Sequence, residues 1–261
     1  MSIIQSFILG IIQGLTEFIP VSSSGHLVII PEIFGWEQQP TSFDIIIHSA
    51  TLLALLVYFY QDIKSLILNI RKKKQQKLLL NLIIITIPAG LVGLLFENFI
   101  DKNFKDVQVI IVMLIVFGII FILTEKLFLE NTKKIEKLTP FSALLIGLGQ
   151  TLSLIRGTSR SGITILGGLF QGLSRQEAAR ISFLAGILIV GAATLKQFVG
   201  FSSSGLGTLG PGSIIVGFTA AFISGLISIR FMLSFLKSNG LVVFGIYRII
   251  LGLLIWFLLC F

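Results

Sequence analysis

Charge is what this chain has least of. Only 12% of its 261 residues are Asp, Glu, Lys or Arg, where an ordinary soluble domain carries roughly 25%. A soluble fold of this length needs a polar shell, and too few groups are present to build one. No Lys or Arg precedes Lys64, so the N-terminus lacks the basic region of a cleaved signal peptide. Its apolar stretch is therefore read as part of the mature fold. The one cysteine, Cys260, excludes an internal disulfide and a cysteine-based metal framework.

What the chain has instead is apolar length. Hydrophobic residues make up 54% of it, with 23 Phe and 26 Gly, and the mean hydropathy is +0.99. Glycine at this level suits membrane helices, whose backbones approach closely. A net charge of +8 would fit a nucleic-acid binder, but most of the basic residues sit in short loops between apolar runs. The run Arg71–Lys74 belongs to that loop pattern, and no nucleic acid is expected as a partner.

A spanning helix needs about 20 apolar residues. Six segments qualify: 44–61, 78–97, 107–125, 181–198, 213–230 and 241–260. Two more apolar regions, 3–30 and 139–170, are broken by polar stretches around Pro20–Gly25 and Arg156–Gly162. Backbone freed from a helix at membrane depth survives only inside protein or along a wet cavity. Both regions therefore read as re-entrant helical hairpins with polar tips. The expected fold is an all-α polytopic membrane protein of six transmembrane helices plus these two hairpins.

Loop charge sets the orientation. The loops 62–77, 126–138, 171–180 and 230–240 hold 14 of the 20 basic residues, and the alternate loops hold only Lys102 and Lys105. Six spans and two hairpins put every basic loop in the cytoplasm and both termini outside. Sliding the chain on itself by 137 residues aligns Gly10, Gln13, Leu15, Ser22, Ser24 and Gly25 with identical residues, six within positions 10–29. Residues 1–126 and 139–261 then form two repeats within a single membrane domain, each a hairpin followed by three spans. Three is odd, so the repeats are inverted, and their tips converge near the midplane.

Polar groups inside a membrane are costly and are functional candidates by default. The first tip supplies Gln13, Glu17, Ser22, Ser23, Ser24 and His26. Gln13 and Glu17, four apart, share a helix face, and His26 follows Ser23 by three residues. The second tip supplies Gly157, Thr158, Ser159, Arg160, Ser161 and Thr164. Glycine, hydroxyls and a guanidinium together have the character of a phosphate cradle, to which a following helix N-terminus would add. Arg156 reads equally as a lipid-facing cation or a second phosphate contact. Asp44 and His48, four apart, read equally as support for the site or as a packed polar pair.

The stretch Gln13–Leu27 resembles the first signature of the bacterial undecaprenyl-diphosphate phosphatases, also called bacitracin-resistance proteins. Gly157–Thr164 resembles their second signature, and the similarity extends over Phe43–Tyr58 and Ile246–Gly252. The resemblance implies a bacterial plasma-membrane enzyme that removes the terminal phosphate of undecaprenyl diphosphate. Its product is the carrier lipid reused in peptidoglycan synthesis. The family's site opens toward the outer side and calls for a divalent cation, Mg²⁺ or Ca²⁺. The resemblance puts catalytic roles on Glu17, Ser23, His26 and Arg160, with Glu17 also a candidate metal ligand. Two departures stand out: Arg156 replaces the usual proline before Gly157, and Phe183–Gly191 lacks the usual proline, with Leu188 near its place.

Charge on the diphosphate suggests the division of labour. Arg160, Ser159, Thr164 and a cation would neutralise it. Gln13, Ser22, Ser24, Gly157, Thr158 and Ser161 complete the expected substrate contacts. Ser23 is the expected nucleophile with His26 as its base, while water or His26 itself stand as alternative attacking groups. Expected partners are the polyprenyl diphosphate and membrane lipids, with a homodimer as an open option. The rival reading is a polyprenyl-phosphate flippase or transporter, since inverted repeats with broken helices are transporter architecture. A flippase needs the phosphate grip but no nucleophile.

Overall fold

The computed structural model describes residues 1–104, 106–128, 131–201 and 209–260; Lys105, residues 202–208 of the 199–212 loop and the Cys260 side chain lie outside the described residues. Every named element is helical. The order is α1 (Ile3–Phe18), α2 (Ser23–Ile33), α3 (Thr41–Tyr58), α4 (Tyr60–Leu68), α5 (Lys73–Leu95), α6 (Glu97–Asn103) and α7 (Val107–Thr124). Then come α8 (Pro140–Gln150), α9 (Arg160–Phe170), α10 (Arg175–Phe201), α11 (Pro211–Phe235) and α12 (Val242–Cys260). Three 3₁₀ turns, Glu125–Phe128, Ile135–Lys137 and Thr151–Leu154, fill connections.

Each predicted span falls on one of these helices. Among the described residues, five helices are long and apolar enough to cross a membrane: Thr41–Tyr58, Lys73–Leu95, Val107–Phe128, Arg175–Val199 and Pro211–Phe235. The sixth predicted span, 241–260, falls on α12, an apolar helix of 19 residues. Ile3–Phe18 and Pro140–Leu154 are shorter apolar helices. Helices α4 and α6 occupy stretches that the sequence reading treated as loops.

The polarity is inverted relative to a soluble fold. Between 28% and 50% of each apolar window is buried within the protein, and Leu91, Leu95, Leu123, Ile215 and Phe257 face outward. Gln13, Thr51, Gln150, Thr158, Thr164 and Arg248 are fully enclosed. Lipid solvates the first group at no cost, while the second finds hydrogen bonds only inside. The chain is an all-helical integral membrane protein.

Packing pairs elements across the two halves of the chain. Helix α1 lies against α11, α8 against α5, α7 against α12, and α3 against α10. Small residues make the first two contacts intimate. A Cβ at Gly10 would stand 2.5 Å from the Gly217 carbonyl oxygen, and one at Gly147 would stand 2.8 Å from that of Ile85. Such approaches are how membrane helices gain packing energy without a hydrophobic drive.

Candidate active site

Helix α1 stops at Phe18 because Pro20 follows, with no N–H to continue the ladder. The chain turns through Ser22, whose φ is +76°, and α2 begins at Ser23. The second break has the same form. Gly157 takes φ +95° and packs so closely on α7 that a Cβ there would stand 2.8 Å from the Ile110 oxygen. Ser159, at φ +75°, then opens α9 at Arg160. Ser22 Oγ accepts the Gly25 N–H at 3.3 Å, and Ser159 Oγ accepts the Gly162 N–H at 3.2 Å. Each serine caps the helix it begins.

Two helix N-termini and their first residues, Ser23 and Arg160, thus meet across Glu17. Glu17 Oε2 accepts from Ser23 Oγ at 2.8 Å and from Gln13 Nε2 at 3.2 Å. Its Oε1 accepts from Arg160 Nη2 at 2.9 Å. Arg160 Nη1 donates to the Ser182 carbonyl oxygen at 3.2 Å. A Cβ at Gly186 would stand 2.5 Å from that same nitrogen, so α10 makes room for the guanidinium by lacking a side chain there. The network borders a cavity of about 250 Å³, lined among others by Glu17, Ser22, Ser23, Ser24, Ser159 and Arg160.

Several expected residues stand elsewhere. His26 does not bond Ser23. Its Nδ1–H donates to the Ser22 carbonyl oxygen at 2.7 Å, and its Nε2 accepts from the Tyr247 hydroxyl at 2.8 Å. The ring is also outside the cavity lining, so the expected Ser23–His26 pair is replaced by Ser23–Glu17. Thr164 does not face the cavity either; its hydroxyl is held by the Arg160 carbonyl oxygen at 2.8 Å and by Ser182 Oγ at 2.5 Å. Ser161 contacts Ser159 at 3.2 Å behind the tip, and Thr158 is fully buried. Gly157 serves packing against α7. Arg156 is half-buried and outside the lining.

Two residues gain importance. His48 lines the cavity. Its Nδ1–H donates to the Asp44 carbonyl oxygen at 2.8 Å, which leaves Nε2 for a cavity occupant. The His48–Asp44 link is thus through the backbone of Asp44, whose carboxylate instead accepts from Gln39 at 2.9 Å. Arg248 is fully buried with no carboxylate partner among the described residues. Its guanidinium donates to the carbonyl oxygens of Pro20 at 3.1 Å, Met113 at 3.1 Å and Gly157 at 2.6 Å. It also lies over the rings of Phe117 and Phe121 at 5.8 and 5.3 Å. One side chain from α12 therefore ties both tips together. An arginine alone within the apolar run 241–260 is the signal that could have found it.

No group of three or more His, Cys, Asp or Glu stands together among the described residues. A cation cage built by protein alone is thus absent there. The oxygen donors do suit a hard cation shared with a phosphate ligand: the Glu17 carboxylate stands beside Gln13 Oε1, which is buried without a hydrogen-bond partner.

Residues 6–254 match the family model of the bacitracin resistance protein BacA. A protein of Saccharophagus degradans named undecaprenyl-diphosphatase is 40% identical over 268 residues, covering 98% of this chain and 100% of the relative. A protein of Thermodesulfovibrio yellowstonii with the same name is 41% identical over 257 residues, covering 97% and 96%. A third of that name, from Halothermothrix orenii, is 38% identical, covering 98% and 97%. Matched across nearly its whole length, the chain belongs to the BacA family of bacitracin resistance proteins.

Proposed function

We propose that this protein hydrolyses undecaprenyl diphosphate to undecaprenyl phosphate and inorganic phosphate, recycling the carrier lipid and conferring bacitracin resistance. The single observation that carries this reading is the Ser23–Glu17–Arg160 network at two facing helix N-termini. A hydroxyl bonded to a carboxylate beside a guanidinium is more than a phosphate grip. A flippase has no use for it.

The mechanism follows from charge. The terminal phosphate enters between the N-termini of α2 and α9, whose free N–H groups favour an anion. Arg160 turns part of its fork from Glu17 to the phosphate oxygens. Freed of that partner, the Glu17 carboxylate takes the proton of Ser23 as Oγ attacks phosphorus. The P–O bond to the lipid phosphate breaks, and that phosphate leaves with the bond pair. Water then cleaves the phosphoserine, releasing inorganic phosphate and restoring the Ser23 hydroxyl. His48, with Nε2 left unbonded by Asp44, contacts the phosphate from the cavity wall. A divalent cation, Mg²⁺ or Ca²⁺, would be held by Glu17, Gln13 Oε1 and the diphosphate, and would supply further charge neutralisation when bound. His26, buttressed by Tyr247, positions the tip rather than the proton.

The same reading extends to the membrane. Six spans and two re-entrant hairpins, 3–30 and 139–170, form inverted repeats in the inner membrane, with the basic loops cytoplasmic and the site opening outward. The matched backbones of Ser22 and Ser159 support it. The prenyl tail stays in lipid beside apolar helices. A homodimer leaves this chemistry unchanged, since every named group comes from one chain.

Phosphate release from undecaprenyl diphosphate by purified protein, with and without chelator, tests the reading. Arg160→Ala is expected to lower turnover by about 10²–10³-fold in a folded protein. Near wild-type release from that variant refutes the assignment.

A further inference from the structure

A second cavity lies further toward the start of α10 than the diphosphate site. It measures about 440 Å³ and is lined among others by Asp62 of α4, Lys74, Lys77 and Asn81 of α5, Glu136, and Arg180 of α10. Along α10, Arg180 of this cavity stands thirteen residues from Ala193 of the diphosphate cavity, and its Leu184 stands five residues from Ile189 of the same cavity. At the helical rise these separations are about 20 Å and about 8 Å.

Its neighbour is a cleft of opposite character. A groove of about 140 Å³ shares Asp62, Leu78 and Leu184 with the polar cavity. It continues along α10 past Leu66, Leu79, Leu82 and Ile187 to Leu188. A charged chamber opening into an apolar groove matches the division of a lipid into head and tail. Leu188 is part of that groove wall.

Charge narrows the head. Lys74 pairs with Glu136 at 3.1 Å, and Arg180 pairs with Asp62. Lys77 donates to the Glu136 carbonyl oxygen at 2.9 Å and has no carboxylate partner among the described residues. Among the lining residues, three cations thus face two carboxylates. Asn81 is 1% exposed, its Nδ2 donates to the Leu138 carbonyl oxygen at 3.1 Å, and its Oδ1 has no partner. An orphaned buried acceptor costs roughly 1–3 kcal/mol and calls for a donor.

We infer that this chamber and groove bind one anionic phospholipid of the phosphatidylglycerol type. Its single phosphodiester charge meets Lys77, a headgroup hydroxyl donates to Asn81 Oδ1, and one acyl chain lies along the groove to Leu188. A doubly charged lipid such as cardiolipin would leave one charge unmatched. A phosphatidylethanolamine brings an extra ammonium beside Lys74, Lys77 and Arg180. Basic pockets between membrane helices are a recognised form of lipid site.

Native mass spectrometry of the delipidated full-length protein tests this. The probes are phosphatidylglycerol, phosphatidylethanolamine and tail-less glycerol phosphate. Wild type is expected to retain one phosphatidylglycerol at least fivefold better than phosphatidylethanolamine, with no competition from glycerol phosphate. Lys77→Gln abolishes the headgroup preference, and Leu188→Trp, filling the groove, lowers retention at least fivefold. Thermal midpoints in lipid-free detergent confirm that both variants are folded. Phosphate release from a detergent-soluble substrate stays at the wild-type level. Equal retention of the two lipids by wild type, unchanged preference in Lys77→Gln, or effective competition by glycerol phosphate overturns the inference.

Discussion

The two hairpin tips share a backbone and divide the chemistry. Ser22 and Ser159 have φ of 76° and 75°, each caps the N–H three residues on, and each touches the next-but-one serine hydroxyl, at 3.4 and 3.2 Å. The 137-residue shift that superposes these serines also places Ser23 on Arg160, Glu17 on Leu154 and His26 on Ile163. The first tip carries the acid and the hydroxyl, and the second carries the cation. Had both kept arginine, two like charges would face each other in a dry site with one carboxylate between them. The difference at the first helical residue makes a complementary pair out of two loops of one backbone form.

Removing the acid breaks this comparison most severely. Glu17→Gln keeps the shape but cannot take a proton, and it releases Arg160 from its ion pair. Phosphate release is expected to fall by about 10²–10⁴-fold, the range for a general base. A loss below tenfold would move the base elsewhere, and double substitution with His48→Gln would then identify it.

Arg248 comes next, because it is the only described side chain that bonds a carbonyl of both tips. Arg248→Met leaves the Pro20, Met113 and Gly157 oxygens without this donor, each at roughly 1–3 kcal/mol. The released desolvation cost of a buried guanidinium offsets part of that. The thermal midpoint is expected to drop, and turnover to fall more than substrate affinity as the tips separate. Arg248→Lys should not rescue turnover, since an ammonium cannot span several carbonyls in a plane. Full activity in Arg248→Lys would show that charge alone suffices.

The contrast between these residues explains what was legible in the sequence. Glu17, Ser23 and Arg160 could be read because polar groups at membrane depth need a reason, and the 137-residue self-match pointed to both tips at once. The direction of His26 could not be read. It depends on Tyr247, 221 residues away, while a spacing of three suggested Ser23 instead. Thr164 looked like a phosphate donor by composition, but a threonine inside a helix bonds the carbonyl one turn back more readily than a cavity. His48 was readable only as a choice between two roles, because its cavity exposure depends on α10.

Gly186 carries no sequence signal, and it sharpens the comparison from the cation's side. Gly186→Val puts a side chain where Arg160 Nη1 now sits. The arginine is flexible enough to move, so the fold is expected to survive with a midpoint near wild type. Turnover should fall roughly tenfold, the effect of about 1.4 kcal/mol of lost transition-state contact. Glu17 itself is not displaced by this change. A variant with unaltered turnover would mean that the guanidinium works equally well from another position.

The smallest effect tests the equivalence of the tips directly. Ser22→Ala and Ser159→Ala each remove a cap accepting one N–H, at 3.3 and 3.2 Å, which costs about 1 kcal/mol. Glycine at the same positions loses the cap by only a few tenths more than it regains, and it accepts positive φ without strain. Both alanine variants should therefore melt below wild type by similar amounts, and both glycine variants should melt close to it. Neither serine is the attacking group, so turnover should stay within about tenfold in all four. Matching alanine losses follow if one backbone geometry is built twice. A melt in which one alanine variant falls and its counterpart does not would mean that the two loops, alike in φ and hydrogen bonding, are held in place by different forces.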